Sequence, residues 1–407
     1  MCTFGNATEL KDDQFSDTLH YFLGATARQP RLLGTRWVPA LSVYSERRGE
    51  FRAFLRKTRV GGDLSATREL GERMPFRLAY TFEYGETDAE PAAFCALFNR
   101  CDAESRNRLS VLAPLGIASA ALARNRTDNV ISPTRGYVAR GEIRSSASRL
   151  LGTDDSLYFN KATGDVAWYR STGGGNVFTV RLRGGAVLGR RLRLSDLTGF
   201  IPPQERLYAG GATSVRGFQQ NELGSLVYIA RNNNVVIDSM VSGTDTLYHF
   251  EVDTTPGNIQ SPDRAVPLGG NSLVVANIEF RLRDPFFFPN LLQYSIFIDG
   301  GDVWTRGDRP AQMKWTPGLG FRALTFVGPI QVNVGYNPYK RELGEIYYNP
   351  DVRTLACATP GNSITYRRDG TGQLVEASSG RCDRYEPPKR DRFIQRLTFT
   401  FSIGPDF

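Results

Sequence analysis

The stretch Arg396-Leu397-Thr398-Phe399-Thr400-Phe401-Ser402-Ile403, close to the end of the chain, decides the fold. Extended backbone sends successive side chains to opposite faces. Leu397, Phe399, Phe401 and Ile403 therefore share one face, and Arg396, Thr398, Thr400 and Ser402 share the other. A slip by one residue would invert the whole strand, so the pattern fixes which face meets which environment. The alternation returns upstream. Ile330, Val332, Val334 and Tyr336 oppose Gln331, Asn333 and Gly335, while Val274, Ala276, Ile278, Phe280 and Leu282 oppose Asn277, Glu279, Arg281 and Arg283. That last polar face is too charged for an ordinary buried core but suits a water-filled lumen.

Further candidate strands lie at 15–27, 33–45, 50–55, 62–70, 76–84, 109–123, 135–147, 158–171, 176–187, 294–304 and 315–326, which with the three above makes fourteen. Segments of about ten residues are long enough to cross a bilayer as tilted strands. A soluble β-sandwich also alternates, but its polar face meets bulk water and its edges need cover. Large aliphatic and aromatic outer faces, recurrence along most of the chain, and short turns alternating with long polar loops favour an all-β, closed antiparallel transmembrane barrel. The long separators, 85–107, 190–270 and 339–390, are expected on the extracellular side. Without a linker or an internal repeat, the organisation reads as a tail over 1–14 and one barrel domain over 15–407.

Composition narrows the function classes. Forty-one glycines, 22 prolines, 17 tyrosines and 25 phenylalanines stand against four methionines in 407 residues, which favours strands and turns. A mean hydropathy of −0.33 and the lack of an apolar run near 18 residues exclude a membrane helix. The net charge of +8 is dispersed among 42 acids, so no nucleic-acid partner is expected. Only six of the 50 basic residues are lysine, and arginine suits fixed pairing in a confined polar space. Cys95 and Cys101 share one polar segment, Cys357 and Cys382 another, and Cys2 stands alone; two disulfides bracing surface loops are expected, in an oxidising compartment. With only His20 and His249 present, no metal site, cofactor or catalytic constellation is expected.

Between the strands stands Pro202-Pro203-Gln204-Glu205-Arg206-Leu207-Tyr208-Ala209-Gly210-Gly211-Ala212-Thr213-Ser214-Val215-Arg216-Gly217-Phe218. It resembles the loop signature of the BamA/TamA superfamily of outer-membrane assembly and translocation barrels. Phe297-Ile298-Asp299-Gly300-Gly301 is similar to the family's F-x-D-x-G strand motif, Ser132-Pro133-Thr134-Arg135-Gly136 to its periplasmic turn, and Leu397, Phe399, Phe401 and the terminal Phe407 to its C-terminal strand signal. The resemblance implies sixteen strands, which leaves one hairpin unplaced, expected within 50–70. It also implies a loop folded into the lumen, with Val215, Arg216, Gly217 and Phe218 at its tip and Gly210 and Gly211 permitting tight turns. By alternation Phe297, Asp299 and Gly301 face the lumen, where a carboxylate needs a partner. The resemblance makes Arg216 that partner, with Glu279 as a second acceptor.

What the family does sets the functional expectation. The chain would reside in the bacterial outer membrane, in contact with its lipids, and fold and insert unfolded client β-barrel proteins at a weak seam between first and last strands. Periplasmic accessory subunits or chaperones would be further partners. Gly404 and Pro405 are expected to weaken the end of the last strand. Two alternatives stand beside this: a transporter passing one secreted polypeptide through the lumen, and a passive pore. Neither a leader nor the family's soluble repeats is legible, so a longer natural product is expected. Phe286, Phe287, Phe288, Tyr336 and Tyr339 are candidates for an interfacial aromatic girdle.

Overall fold

The computed structural model describes residues 20–29, 36–50, 55–98, 113–146, 149–153, 157–189, 201, 203–242, 245–285, 288–289, 291–307, 309–325, 328–350, 355–370, 372–378, 380 and 382–404. Eight strands come first: β1 (Tyr21–Arg28), β2 (Trp37–Glu50), β3 (Leu55–Glu69), β4 (Pro75–Ala89), β5 (Ala113–Asn125), β6 (Gly136–Ser145), β7 (Phe159–Gly173) and β8 (Asn176–Gly189). A helix, α1 (Pro91–Phe98), lies between β4 and β5. Four strands, β9 (Leu226–Ile229), β10 (Val235–Ser242), β11 (Asp245–Val252) and β12 (Arg264–Pro267), occupy the connection after β8. Then come β13 (Ser272–Arg283), β14 (Leu292–Trp304), β15 (Lys314–Thr325) and β16 (Gly328–Tyr336). The short β17 (Ile346–Tyr348), β18 (Ala356–Cys357), β19 (Tyr366–Arg368) and β20 (Leu374–Glu376) precede the final β21 (Leu397–Ile403).

Thirteen strands build one continuous sheet in the order β1 to β8, β13 to β16, then β21, every neighbouring pair antiparallel. Thirteen rather than fourteen is the result of one hairpin. Glu50 closes β2 and Leu55 opens β3, which runs unbroken to Glu69, so the described part of 50–70 holds the end of one strand and a single further strand. Gly61 and Gly62 interrupt the side-chain alternation there but not the ladder, in which they oppose Glu83 and Phe82. Among the described residues of 50–70 there is no further hairpin, and the described residues supply thirteen of the sixteen wall strands the resemblance implied. Tyr21, rather than residue 15, opens the first described strand.

The two faces differ as alternation demands. On β13, Val275, Asn277, Glu279 and Arg281 are buried while Val274 and Ile278 are exposed. On β14, Phe297 and Asp299 are buried and Ile296 and Ile298 are exposed. Ile143, Leu319 and Phe399 are 63–67% exposed on the outer face. Aliphatic surface on that scale is a liability in water and is matched by hydrocarbon. Among the described residues, no helix is long and apolar enough to cross a membrane.

The connections at the long-loop end are not irregular, as their polar sequence implied. β12, β9, β17 and β18 form one small sheet, and β10, β11, β19 and β20 form another. Each sheet joins the 190–271 connection to the 337–396 connection. β9 and β17 pair in parallel, and β11 meets β19 through Tyr248 opposite Tyr366. α1 packs on β9 and β12. Val227, Tyr228, Phe250, Val266, Ile346 and Ala358 fill the core between them. A disulfide joins Cys357 to Cys382. Cys95, buried on α1, is also disulfide-bonded, and Cys101, its expected partner, lies outside the described residues, as does Cys2.

β1 and β21 each carry a ladder on one side among the described residues, to β2 and to β16 respectively. Seven of the eight residues of β1 are exposed.

Candidate functional site

The segment running from Pro203 to Phe218 enters the lumen and turns back. Gly210 and Gly211 adopt φ of 115° and 88°, a region that L side chains rarely occupy, and a Cβ on Gly210 would sit 2.2 Å from the Gln219 carbonyl oxygen. The turn closes on itself: the Gly211 N–H donates to the Phe218 carbonyl at 2.9 Å, and the Gly210 N–H donates to Ser214 Oγ at 2.7 Å. Val215, Arg216 and Phe218 are thereby presented, all buried, at the tip.

Arg216 binds two acids on adjacent strands. Its backbone N–H donates to Asp299 Oδ2 at 2.9 Å; its Nε and Nη2 donate to the two carboxylate oxygens at 2.7 and 2.8 Å; its Nη1 donates to Glu279 Oε2 at 2.5 Å. The guanidinium carbon lies 3.4 Å from the centroid of the Phe297 ring. Asn277 donates to Asp299 Oδ1 at 2.8 Å and Arg281 donates to Glu279 Oε1 at 2.7 Å. Arg216 and Glu279 are 3% exposed and Asp299 is 0% exposed. Charges so desolvated persist only where every lone pair and proton is used, and a planar fork meeting a carboxylate edge on achieves that.

Small residues let the tip reach the wall. A Cβ on Gly217 would lie 2.4 Å from Thr316 Cβ, and one on Gly335 would lie 2.7 Å from the Arg216 carbonyl carbon and oxygen. The Gly217 carbonyl accepts from Thr398 Oγ1 of β21 at 2.9 Å.

Three further anchors went unread in the sequence. Glu205, 4% exposed, accepts from Arg144 at 3.1 Å and Lys161 at 3.2 Å. Arg206 donates to the carbonyls of Leu268 and Gly269 and to Thr305. Arg181 on β8 grips Asp165 with Nε and Nη2 and donates from Nη1 to the Thr213 carbonyl at 2.9 Å. Inward parity on β8 was a usable signal for Arg181; nothing local points from Glu205 to partners 61 and 44 residues away.

At the other proposed sites, Phe399 faces outward beside the half-buried Leu397 and Phe401, and Phe407 and Pro405 lie outside the described residues. Gly404 has φ of 132° and donates its N–H to the Pro329 carbonyl. Of the girdle candidates, Phe288 is exposed, Tyr336 stacks on Phe393 at 5.5 Å, and the Tyr339 hydroxyl accepts from the Trp315 N–H; Phe286 and Phe287 lie outside the described residues.

A loop clamped inside a strand wall by an arginine on two acids coincides with a family assignment: the Omp85 superfamily domain matches residues 10–407. The chain belongs to the Omp85 superfamily. That membership places it in the bacterial outer membrane. Its fold is similar to that of BamA from Haemophilus ducreyi lacking POTRA domains 1–3, with a TM-score of 0.57 at 13% identity over 95% of this chain. The chain spans 62% of that protein's length. CdiB from Acinetobacter baumannii aligns with 84% of this chain and 50% of its own, at 13% identity and a TM-score of 0.42.

Proposed function

We propose that this Omp85 barrel folds and inserts client β-barrel proteins, using the first and last described wall strands, β1 and β21, to template the incoming strands. The single observation that carries the reading is that these two strands have no ladder to one another among the described residues. An exposed row of N–H and C=O groups recruits further strands, which is a hazard in most proteins and the working surface here. The seated loop favours this over passage through the lumen: Arg216 is locked onto Asp299 and Glu279, and the two-loop cap stands at the same end of the barrel. The client is an unfolded outer-membrane strand-former, and lipid is the medium that receives it.

The test uses the full chain in liposomes, with an unfolded outer-membrane barrel added and its folding followed by heat-dependent gel mobility. Folding faster than in bare liposomes is expected. A photo-crosslinking phenylalanine analogue at Phe399 should trap the client, while the same group at Trp168, outward on mid-sheet β7, should not. No acceleration, together with delivery of a secreted polypeptide into the liposome interior, would move the chain to the transporter reading.

A further inference from the structure

Beside the arginine clamp, between the incoming limb of the loop and the wall, lies a second, polar cavity of about 310 Å³. Lys57 of β3 and Arg183 of β8 line it from the wall; Arg206, Tyr208, Ser214 and Gln220 line it from the loop. No aspartate or glutamate is among its described lining residues. A volume near 300 Å³ is at the lower end of small-molecule sites.

Among the described residues, the surrounding charge is unbalanced in one direction. Asp165 gives its close contacts, 2.8 and 2.5 Å, to Arg181, and Arg183 reaches it only at 3.3 Å. Glu205 is shared by Arg144 and Lys161. Lys57 donates to a neutral acceptor, the Gln204 carbonyl, at 3.3 Å. Among the described residues, two carboxylates thus serve four cations, with the Lys57 ammonium and the Arg206 guanidinium in addition. The adjacent set in which Arg59 sits between Glu46 and Glu83 returns one negative charge, but none of its three residues lines the cavity.

We propose that this cavity binds a phosphate-class oxyanion that clasps the loop to the wall. An ammonium, a guanidinium, a hydroxyl and an amide converging from several sides match tetrahedral oxygens. A phosphate monoester carries about −1.5 to −2 charges at pH 7, closer to the local excess than a single carboxylate. Because Lys57 and Arg183 are on the wall and Arg206, Ser214 and Gln220 are on the loop, the anion bridges the two bodies. Its binding is independent of whether the barrel handles clients.

The full chain in neutral detergent is titrated calorimetrically with inorganic phosphate and with glucose 6-phosphate, at ionic strength matched with chloride. Saturable binding is expected, with a rise in unfolding temperature as the ligand exceeds Kd. Arg183→Gln and Lys57→Gln should each weaken binding about tenfold or more, and Arg183→Lys should restore part of the loss. Asp165 keeps its grip on Arg181 in the Arg183 variants, and unchanged heat-dependent gel mobility verifies that each variant is folded. Uptake that does not saturate, or that is equal in folded variants, identifies an adventitious ion only and overturns the proposal. Phosphatidylglycerol vesicles that displace bound phosphate would assign the site to a lipid headgroup, and vesicles that fail to displace it would assign it to a soluble phosphate. Both results keep the oxyanion chemistry.

Discussion

Arg216 and Asp299, 83 residues apart in the chain, meet through three hydrogen bonds inside the lumen, one from the backbone N–H and two from the guanidinium. Removing the arginine leaves Asp299 and Glu279 buried with their main cation gone, which typically costs about 3–5 kcal/mol. Arg216→Ala should therefore lower the unfolding temperature in detergent and expose 203–218 to protease, and client folding should slow. Arg216→Lys should fall between, since a point charge cannot span both Asp299 oxygens and Glu279. Wild-type protease resistance in Arg216→Ala would show that the loop is held by its other anchors.

The close approach of loop to wall makes a steric prediction. Gly217→Ala forces a methyl against Thr316 Cβ, and Gly335→Ala forces one against the Arg216 backbone. Each should destabilise by about 1–3 kcal/mol through overpacking. Thr316→Gly removes the obstructing Cβ, so it should recover part of the Gly217→Ala loss and none of the Gly335→Ala loss. Denaturant titration of the two double variants measures the difference.

The cap should loosen on reduction. Cys357 and Cys382 are separated by 25 residues, a loop whose closure is worth roughly 3–4 kcal/mol by chain entropy. Cys357→Ser with Cys382→Ser should expose the 337–396 connection to trypsin while leaving the wall strands protected. Mass measurement after alkylation, with and without reduction, counts the bonds, including the one made by Cys95.

Acid should open the turn between β5 and β6. Burial pushes the Asp128 carboxyl up, but donation from the Thr134 hydroxyl and from the N–H groups of Thr134, Arg135 and Asn129 outweighs it and holds the carboxyl below its usual range. A depressed folded pKa means that the stabilisation is present above the unfolded value of about 3.9 and is lost as pH falls through the folded one. Hydrogen exchange of the Thr134 and Arg135 amides, corrected for intrinsic rate, should accelerate in the wild type as pH falls below the unfolded carboxyl value. Asp128→Asn should exchange fast at both acid and neutral pH.

Legibility tracked the length of the repeating signal. Twelve-residue β13 could be read face by face, because a period of two accumulates over that span, and it placed Asn277, Glu279 and Arg281 correctly toward the interior. Two- to four-residue strands such as β9, β17 and β18 carry too few alternations to register, and their pairing is made across more than a hundred residues, as where Ile346 opposes Tyr228. The extra strand came from separating 50–55 from 62–70, whereas Leu55 to Glu69 form one ladder that runs on through Gly61 and Gly62, because glycine interrupts a side-chain pattern without interrupting backbone hydrogen bonds. Arg216 was found through a motif. Glu205 stands in the same motif and was passed over because its role depends on Arg144 and Lys161 arriving from other strands.

The bond from Thr398 to the Gly217 carbonyl ties the buried tip to the very strand that ends the sheet. β21 hangs directly from the 337–396 segment, which is itself stitched to the segment bearing Arg216. Peeling the last strand outward and unseating the plug are therefore one mechanical event, and a force applied at either should register at the other.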